Sequence, residues 1–239
     1  MLLPSTQPAV LLSKGYQDID SPFDSNFGGT MQEHFSGKEQ AIIPIAAFTA
    51  SGELEKLKMS LVEGLNAGLT ISETKEILVQ MYAYTGFPRS LNALGTFMSV
   101  VEERKQQGIF DTEGEPASPL PTDESSLSFG TKNQTQLVGQ VVSGPLFDFA
   151  PEIDQYLKAH LFGDIFQRDV LTWKERELAT IAALANMQGV NGQLQAHFGI
   201  SLNNGITPAL LKTFIGELKQ HCGEDVALNA DQVLDNILG

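Results

Sequence analysis

Apolar residues recur along this chain at intervals of three and four. Leu54, Leu57, Leu61 and Leu65 form one such stripe and Leu194, Phe198 and Leu202 another, the pattern of helices that bury one face. Ser36-Gly37-Lys38-Glu39 and Thr172-Trp173-Lys174-Glu175 are capping boxes, in which a hydroxyl and a glutamate satisfy the free amides at a helix start. Each opens an apolar run containing Ile-Ala-Ala, at Ile45-Ala46-Ala47 and Ile181-Ala182-Ala183. Gly68 and Gly205 sit where the striped helices should end, since glycine accepts the left-handed backbone of a C-terminal cap. Thr70-x-x-Glu73 and Thr207-Pro208 then start the next helix, one by a capping box and one by proline in the first turn. Strand signals are confined to Leu137–Val142, so the expected fold class is all-α.

These signals repeat. The capping box and the Ile-Ala-Ala run share one offset between the two halves. After a one-residue slip, Asn66, Gly68, Thr70, Lys75, Gly86, Asn92 and Ala93 stand opposite Asn203, Gly205, Thr207, Lys212, Gly223, Asn229 and Ala230. The predicted organisation is an N-terminal arm over residues 1–35, a first repeat over 36–108, an acidic linker over 109–143 and a second repeat over 144–239. Pro116, Pro119 and Pro121 among acidic and serine residues mark the linker as loop. The aromatic-rich stretch Gly144 to Phe166 needs burial and is expected as an extra helix leading the second repeat.

Composition narrows the chemistry. The 239 residues hold 15 Lys+Arg against 29 Asp+Glu, a net charge of -14, which disfavours nucleic acid and anionic lipid. The hydrophobic share of 42% is that of a globular chain. The longest apolar stretch, about Ala41 to Phe48, is far short of the roughly 18 residues of a membrane span. The opening MLLPSTQPAVLLSKGYQ lacks a basic region ahead of its apolar residues, so a cytoplasmic location is expected. With a single cysteine, Cys222, no intramolecular disulfide or C-x-x-C redox pair can form. His34, His160 and His221 have no partners at metal-ligand spacing, and no metal site is expected.

The stretch from Ala67-Gly68-Leu69-Thr70 to Gly86-Phe87-Pro88-Arg89-Ser90-Leu91-Asn92-Ala93-Leu94 resembles the carboxymuconolactone decarboxylase family, as do Lys174-Glu175-Arg176-Glu177-Leu178-Ala179-Thr180 and Gln193-Leu194-Gln195-Ala196-His197-Phe198. The Gly-Phe-Pro-x-x-Leu-Asn-Ala motif is the most specific part. The resemblance implies an alkylhydroperoxidase D-like helical bundle assembled as a homo-oligomer, a dimer or trimer of two-repeat chains, acting on a small molecule without a cofactor. In the peroxide-reducing branch of that superfamily a glutamate, a C-x-x-C pair and a histidine form a proton relay. Glu177 and His197 stand near the glutamate and histidine, while the cysteine places read Val190 and Gln193. In the first repeat the counterpart of His197 is Ser60 or Leu61.

Glu177 and His197 fall on consecutive helices joined by a short turn, within reach of one another. A carboxylate that orients imidazole raises its basicity, which suits general acid/base work on a small carboxylated lactone or keto acid; the same pair would equally tie two helices together. Arg89 is a candidate for binding a substrate carboxylate, or for a salt bridge. Tyr82 and Tyr84 are substrate-binding candidates of which at most one should line a pocket, because alternate residues on a helix face different ways. Asn92 and Asn229 suggest helix-to-helix hydrogen bonds, Trp173 a staple or interface residue, and Cys222 a packed small residue. Three readings follow: a carboxy-lyase, a noncatalytic helical oligomer binding a small ligand, and a peroxide reductase that lacks its cysteine pair.

Overall fold

In a computed structural model, residues 34–239 are described; the N-terminal arm lies almost wholly outside them. Helices α1 (Gly37–Ser51), α2 (Leu54–Asn66), α3 (Ile71–Thr85) and α4 (Phe87–Gln106) make up the first half. Next come α5 (Ser126–Val138), two short helices, α6 (Pro145–Phe149) and α7 (Pro151–Tyr156), and a π-helical segment, Leu157–Ile165. Helices α8 (Trp173–Ala185), α9 (Asn191–Asn203), α10 (Pro208–Cys222) and α11 (Glu224–Leu238) complete the chain. The fold is all-α, with no strand among the described residues and no helix among them long and apolar enough to cross a membrane.

Local chemistry explains the boundaries. All three predicted capping boxes form: Ser36 with Glu39, Thr70 with Glu73, and Thr172 with Glu175. Thr207 caps α10 by accepting from the Leu210 amide. Gly68 and Gly205 hold the left-handed backbone at φ 100° and 92°, and Gly86 and Gly223 break the chain between helices at φ 83° and 96°. The helices of each half therefore open at residues that the register read from the sequence sets opposite one another: Gly37 and Trp173, Leu54 and Asn191, Ile71 and Pro208, Phe87 and Glu224.

The core is built on α1 and α8, which pack against each other. From Ile42 to Ala50 and from Arg176 to Ala185 every residue is buried, so these helices have no polar face and must lie at the centre. Helices α2 and α9 lay their apolar stripes on them, with Leu57, Leu61, Leu194 and Phe198 at 0% exposure.

Three expectations are corrected between the halves. The stretch 109–143 is extended only in its first part, because Ser125 accepts from the Ser128 amide and starts α5 inside the expected linker. The predicted strand signal at Leu137–Val142 is the end of α5 and the loop after it, where Gly139 closes the helix at φ 84°. The expected single leading helix is three pieces, broken at Ala150 by Pro151 and then widened into the π-helical segment. The extended part is a strap. Thr112 and Glu113 carbonyls accept the free amides of Ile71 and Ser72 at the start of α3. Arg104 holds Asp111 through two hydrogen bonds of 2.8 Å and Asn66 through one of 3.0 Å.

Helix α5 and the π-helical segment approach through glycine. A Cβ on Gly130 would lie 1.8 Å from the Lys158 carbonyl oxygen, so the contact exists only because there is none. Leu137, Leu161, Phe162, Ile165 and Phe166 form a second apolar cluster with Ile200 of α9. The Asn203 and Asn204 side chains donate to the last carbonyls of α5. This layer covers one flank of α9.

One polar lock joins the halves. Glu76 of α3 accepts from Arg176 Nη2 of α8 at 2.8 Å and from Arg168 Nε and Nη2 at 2.8 and 3.0 Å. Arg176 also donates to Gln80 Oε1 at 2.8 Å, and Gln80 Nε2 returns bonds to the Arg176 carbonyl and the Thr180 hydroxyl, both at 3.0 Å. Burial opposes the charged form of Glu76, but the guanidinium hydrogen bonds of Arg168 and Arg176 outweigh it and hold the carboxyl below its ordinary value of 4.5.

Two stability outcomes follow from these contacts. Glu76→Gln should cost about 3 kcal/mol in urea unfolding at pH 7, since it leaves a buried guanidinium without its counter-charge. Because the folded-state value of Glu76 is depressed, its contribution is complete above the unfolded carboxylate value and is lost as pH falls through the lower folded value; the variant should therefore show a shallower loss of stability below about pH 4.5. Gly130→Ala should cost about 3 kcal/mol or more by overpacking, whereas Gly216→Ala on the exposed face of α10, where an added Cβ meets nothing within 4 Å, should gain up to about 1 kcal/mol. Equal unfolding midpoints for the two glycine variants would contradict the close approach.

Candidate functional site

Glu177 enters α8 one turn after its Thr172 cap, on a helix with no exposed face, and its side chain is 0% exposed. The turn after α8 places α9 alongside, so that His197 Nδ1 lies 2.8 Å from Glu177 Oε2. A carboxylate accepts and cannot donate, so the shared proton is on Nδ1 and the Nε2 side of the ring faces away from the carboxylate. His197 keeps 12% of its side chain exposed, which leaves part of an otherwise buried imidazole–carboxylate contact open to the outside.

The first half contributes the third member. Tyr84, in the last turn of α3, sets its ring edge-on to the His197 ring, centroids 5.7 Å apart and planes at 84°. Its hydroxyl oxygen is buried without a hydrogen bond of ordinary geometry, and so is the second carboxylate oxygen of Glu177, Oε1. Burial first, and the charge of Glu177 second, push the Tyr84 phenol well above its usual value, so it stays protonated and keeps a hydrogen to donate.

Beneath this trio lies the Arg176 network. Arg176 precedes Glu177 and is fully buried, with its guanidinium 5.7 Å from the Phe166 ring centroid and Nη2 donating to the Arg168 carbonyl at 2.7 Å. Burial lowers the pKa of this guanidinium, and Glu76 works against that shift. Thr180, one turn past Arg176, joins Gln80 to the Arg176 carbonyl and is among the groups that act on Tyr84. Sequence reasoning passed over Glu76, Gln80, Arg176 and Thr180. The signal was a charged or amide residue within an apolar run, Glu76 ahead of Ile77-Leu78 and Arg176 ahead of Leu178-Ala179.

The remaining candidates go elsewhere. Arg89 does not join the pair: its guanidinium rests on the α1–α2 turn, where a Cβ added to Gly52 would lie 1.5 Å from Nη1, and the side chain is exposed. The left-handed backbone that glycine permits at Gly52 leaves the flat surface that this guanidinium covers. Tyr82 points away from Tyr84, as the helical period requires, and stacks on Phe87 at 4.4 Å with His160 at 5.7 Å. His160 and His221 each pair with a carboxylate one turn away, Asp164 at 2.9 Å and Glu217 at 3.4 Å. Asn229 exchanges two hydrogen bonds with Asn191 of α9, while Asn92 is exposed on α4. The Trp173 indole donates to the Phe166 carbonyl at 3.0 Å. Cys222 packs against the core, and burial pushes its thiol up, away from thiolate chemistry.

The register read from the sequence sets Ala41 opposite Glu177, Pro44 opposite Thr180 and Ser60 or Leu61 opposite His197. The first half thus has neither acid nor imidazole at those places, and proline cannot supply the hydroxyl that Thr180 does. A cavity of about 900 Å³ between α3 and α4, lined by Val79, Leu94, Phe97 and Met98, involves none of the site residues. The flank where His197 and Tyr84 meet carries the chain's one buried imidazole–carboxylate contact among the described residues.

No curated protein matches the chain. Residues 151–236, the stretch that holds both Glu177 and His197, match the model of the carboxymuconolactone decarboxylase family.

Proposed function

We propose that the protein is a carboxy-lyase of the carboxymuconolactone decarboxylase type, acting on a small carboxylated lactone or keto acid. The observation that carries this reading is the 2.8 Å contact between a fully buried Glu177 and a His197 that keeps an exposed edge. A pair serving only to fasten two helices has no need of such an edge.

Decarboxylation without a cofactor needs an electron sink and a proton. The C–C bond to the departing carboxylate breaks, CO2 leaves, and the electron pair moves into the substrate's own conjugated carbonyl. His197, protonated and held by Glu177 through Nδ1, gives the Nε2 proton to the carbon that lost CO2, and solvent returns a proton to Nε2 along the exposed edge. Glu177 fixes the tautomer and ring direction. With Arg89 at the α1–α2 turn, the leaving carboxylate has no guanidinium from that residue, and its attraction to the site rests on the imidazolium. The fused arrangement we propose, two copies of one helical unit, leaves a single equipped pair per chain, because Ala41, and Ser60 or Leu61, stand where the acid and the imidazole would be in the first copy.

The test is CO2 release from a γ-carboxylated muconolactone, followed with His197→Ala and Glu177→Gln. His197→Ala should lower kcat by about 10²–10⁴-fold, the usual yield of a positioned general acid. Glu177→Gln should lower it by about 10–100-fold, on the scale of losing a partner that orients a functional histidine. Turnover unchanged in both variants would remove the reading, and Cys222→Ser should leave turnover as it is.

A further inference from the structure

Helices α6 and α7 have five and six residues and bury none of them. Helices that short do not hold their shape alone in water, so they must be tethered or covered. One side is tethered: α6 packs on α7 and α7 on the π-helical segment, where Lys158 pairs with Asp154 and its ammonium lies 5.6 Å from the Phe147 ring centroid. The other side is bare. Leu146, Phe149, Ile153 and Tyr156 are 46% to 88% exposed, Phe149 the most. Helix α4 shows the same condition. Its inner stripe, Ser90, Ala93, Phe97, Val100 and Arg104, is buried. A second stripe, Phe87, Leu91, Leu94 and Met98, recurs at intervals of four, three and four on an adjacent face, and Phe87, Leu91 and Met98 are 62% to 72% exposed. The two bare stripes are joined, because the Tyr82 ring stacks on Phe87 at 4.4 Å and lies 5.7 Å from the ring of His160, four residues past Tyr156. One apolar band thus runs from Leu146 through Tyr82 to Met98.

We infer that this band is the contact between two copies of the chain, related by a two-fold axis through its middle, at Tyr82, Phe87 and His160. Such an axis exchanges the ends of the band, so that α6 and α7 of one copy lie on α4 of the other and the same contact is made twice. The area agrees with this. At about 200 Å² for a large side chain, the seven exposed residues of the two stripes present on the order of 900 Å² of apolar surface. The largest apolar patch of a typical monomer is about 300–600 Å², and a stable interface takes about 800 Å² from each partner. Phe149 is the anchor. Its ring is almost wholly exposed in one copy, and the groove of about 900 Å³ between α3 and α4, walled by Val79, Leu94, Phe97 and Met98, is there to receive it in the other. Each copy then gives the short helices of its partner the cover that their own chain does not supply. The inference concerns assembly and does not rest on the acid/base reading, since a chain without turnover would still pair through this band.

The test is the mass of the full chain by sedimentation equilibrium, with variants at both ends of the band. The wild type should contain an even number of 25.9 kDa chains. Phe149→Glu and Leu91→Glu should each halve that mass by weakening the contact about 30-fold or more, with the circular dichroism of the wild type retained. Leu228→Glu, at a bare apolar residue of α11 outside the band, should leave the mass as it is. The exchange of ends has its own readout, which does not depend on the charged variants folding. In a Cys222→Ser background, Phe149→Cys and Met98→Cys proteins, mixed and left to exchange subunits, should be joined by a short bismaleimide into a covalent dimer, and neither protein alone should be. A monomeric wild type, an odd number of chains, a mass unaltered by both charged variants, or Phe149→Cys joined to itself and not to Met98→Cys would overturn the interface.

Discussion

A single guanidinium that water cannot reach governs how this molecule is put together. Arg176 is fully buried, and an unpaired charge in that position would cost several kcal/mol. Its partners must come from elsewhere in the chain, and they do: Glu76 and Gln80 from α3, and the carbonyl of Arg168. Helices α3 and α8 are thereby fixed at one relative height and one rotation. Glu177 is the next residue along α8, and Tyr84 is one turn past Gln80 along α3. Their meeting is a consequence of the lock, since each is placed by its neighbour's obligation to satisfy a buried charge.

Much of the architecture is legible from the sequence because it is local. Ser36, Thr70 and Thr172 each act on an amide three residues on, and Gly68 and Gly205 act on their own backbone, so no distant partner enters the reasoning. The Glu177–His197 pair is legible for a related reason: a short turn leaves little choice of geometry between α8 and α9. What the sequence hides is non-local. Arg176 looks like one more charge in a Lys-Glu-Arg-Glu run until α3 is packed against it. Arg89 looks like a carboxylate ligand because it follows Gly86-Phe87-Pro88, yet the α1–α2 turn takes it. Helix α5 is hidden by its serines and glycine, whose helical propensity is low; it is held by the apolar cluster of the π-helical segment and by Asn203 and Asn204.

The two halves use similar helices for different ends. On one side of the central pair, α8 offers Arg176, Glu177 and Thr180 to α3. On the other, α1 offers Gln40, Ala41 and Pro44 at the places the register sets opposite them. Pro44 is buried inside α1 and lacks the amide that would bond one turn back, so that helix depends on packing with Ile42, Ile43 and Ile45 around it. One half is thus a polar scaffold and the other an apolar one, and the site lies where the first receives side chains from the second.

The π-helical segment Leu157–Ile165 sets the phase of everything after it. A helix wound with i to i+5 bonds carries its residues at a different angular spacing from an α-helix. Were the segment rewound as α-helix, Phe166 and Arg168 would sit at a different angle about the axis and a different height along it. The Phe166 ring would leave the Arg176 guanidinium and the Arg168 carbonyl would leave its Nη2. The winding between Lys158, whose carbonyl meets Gly130, and Arg168 therefore decides whether the buried charge finds its carbonyl.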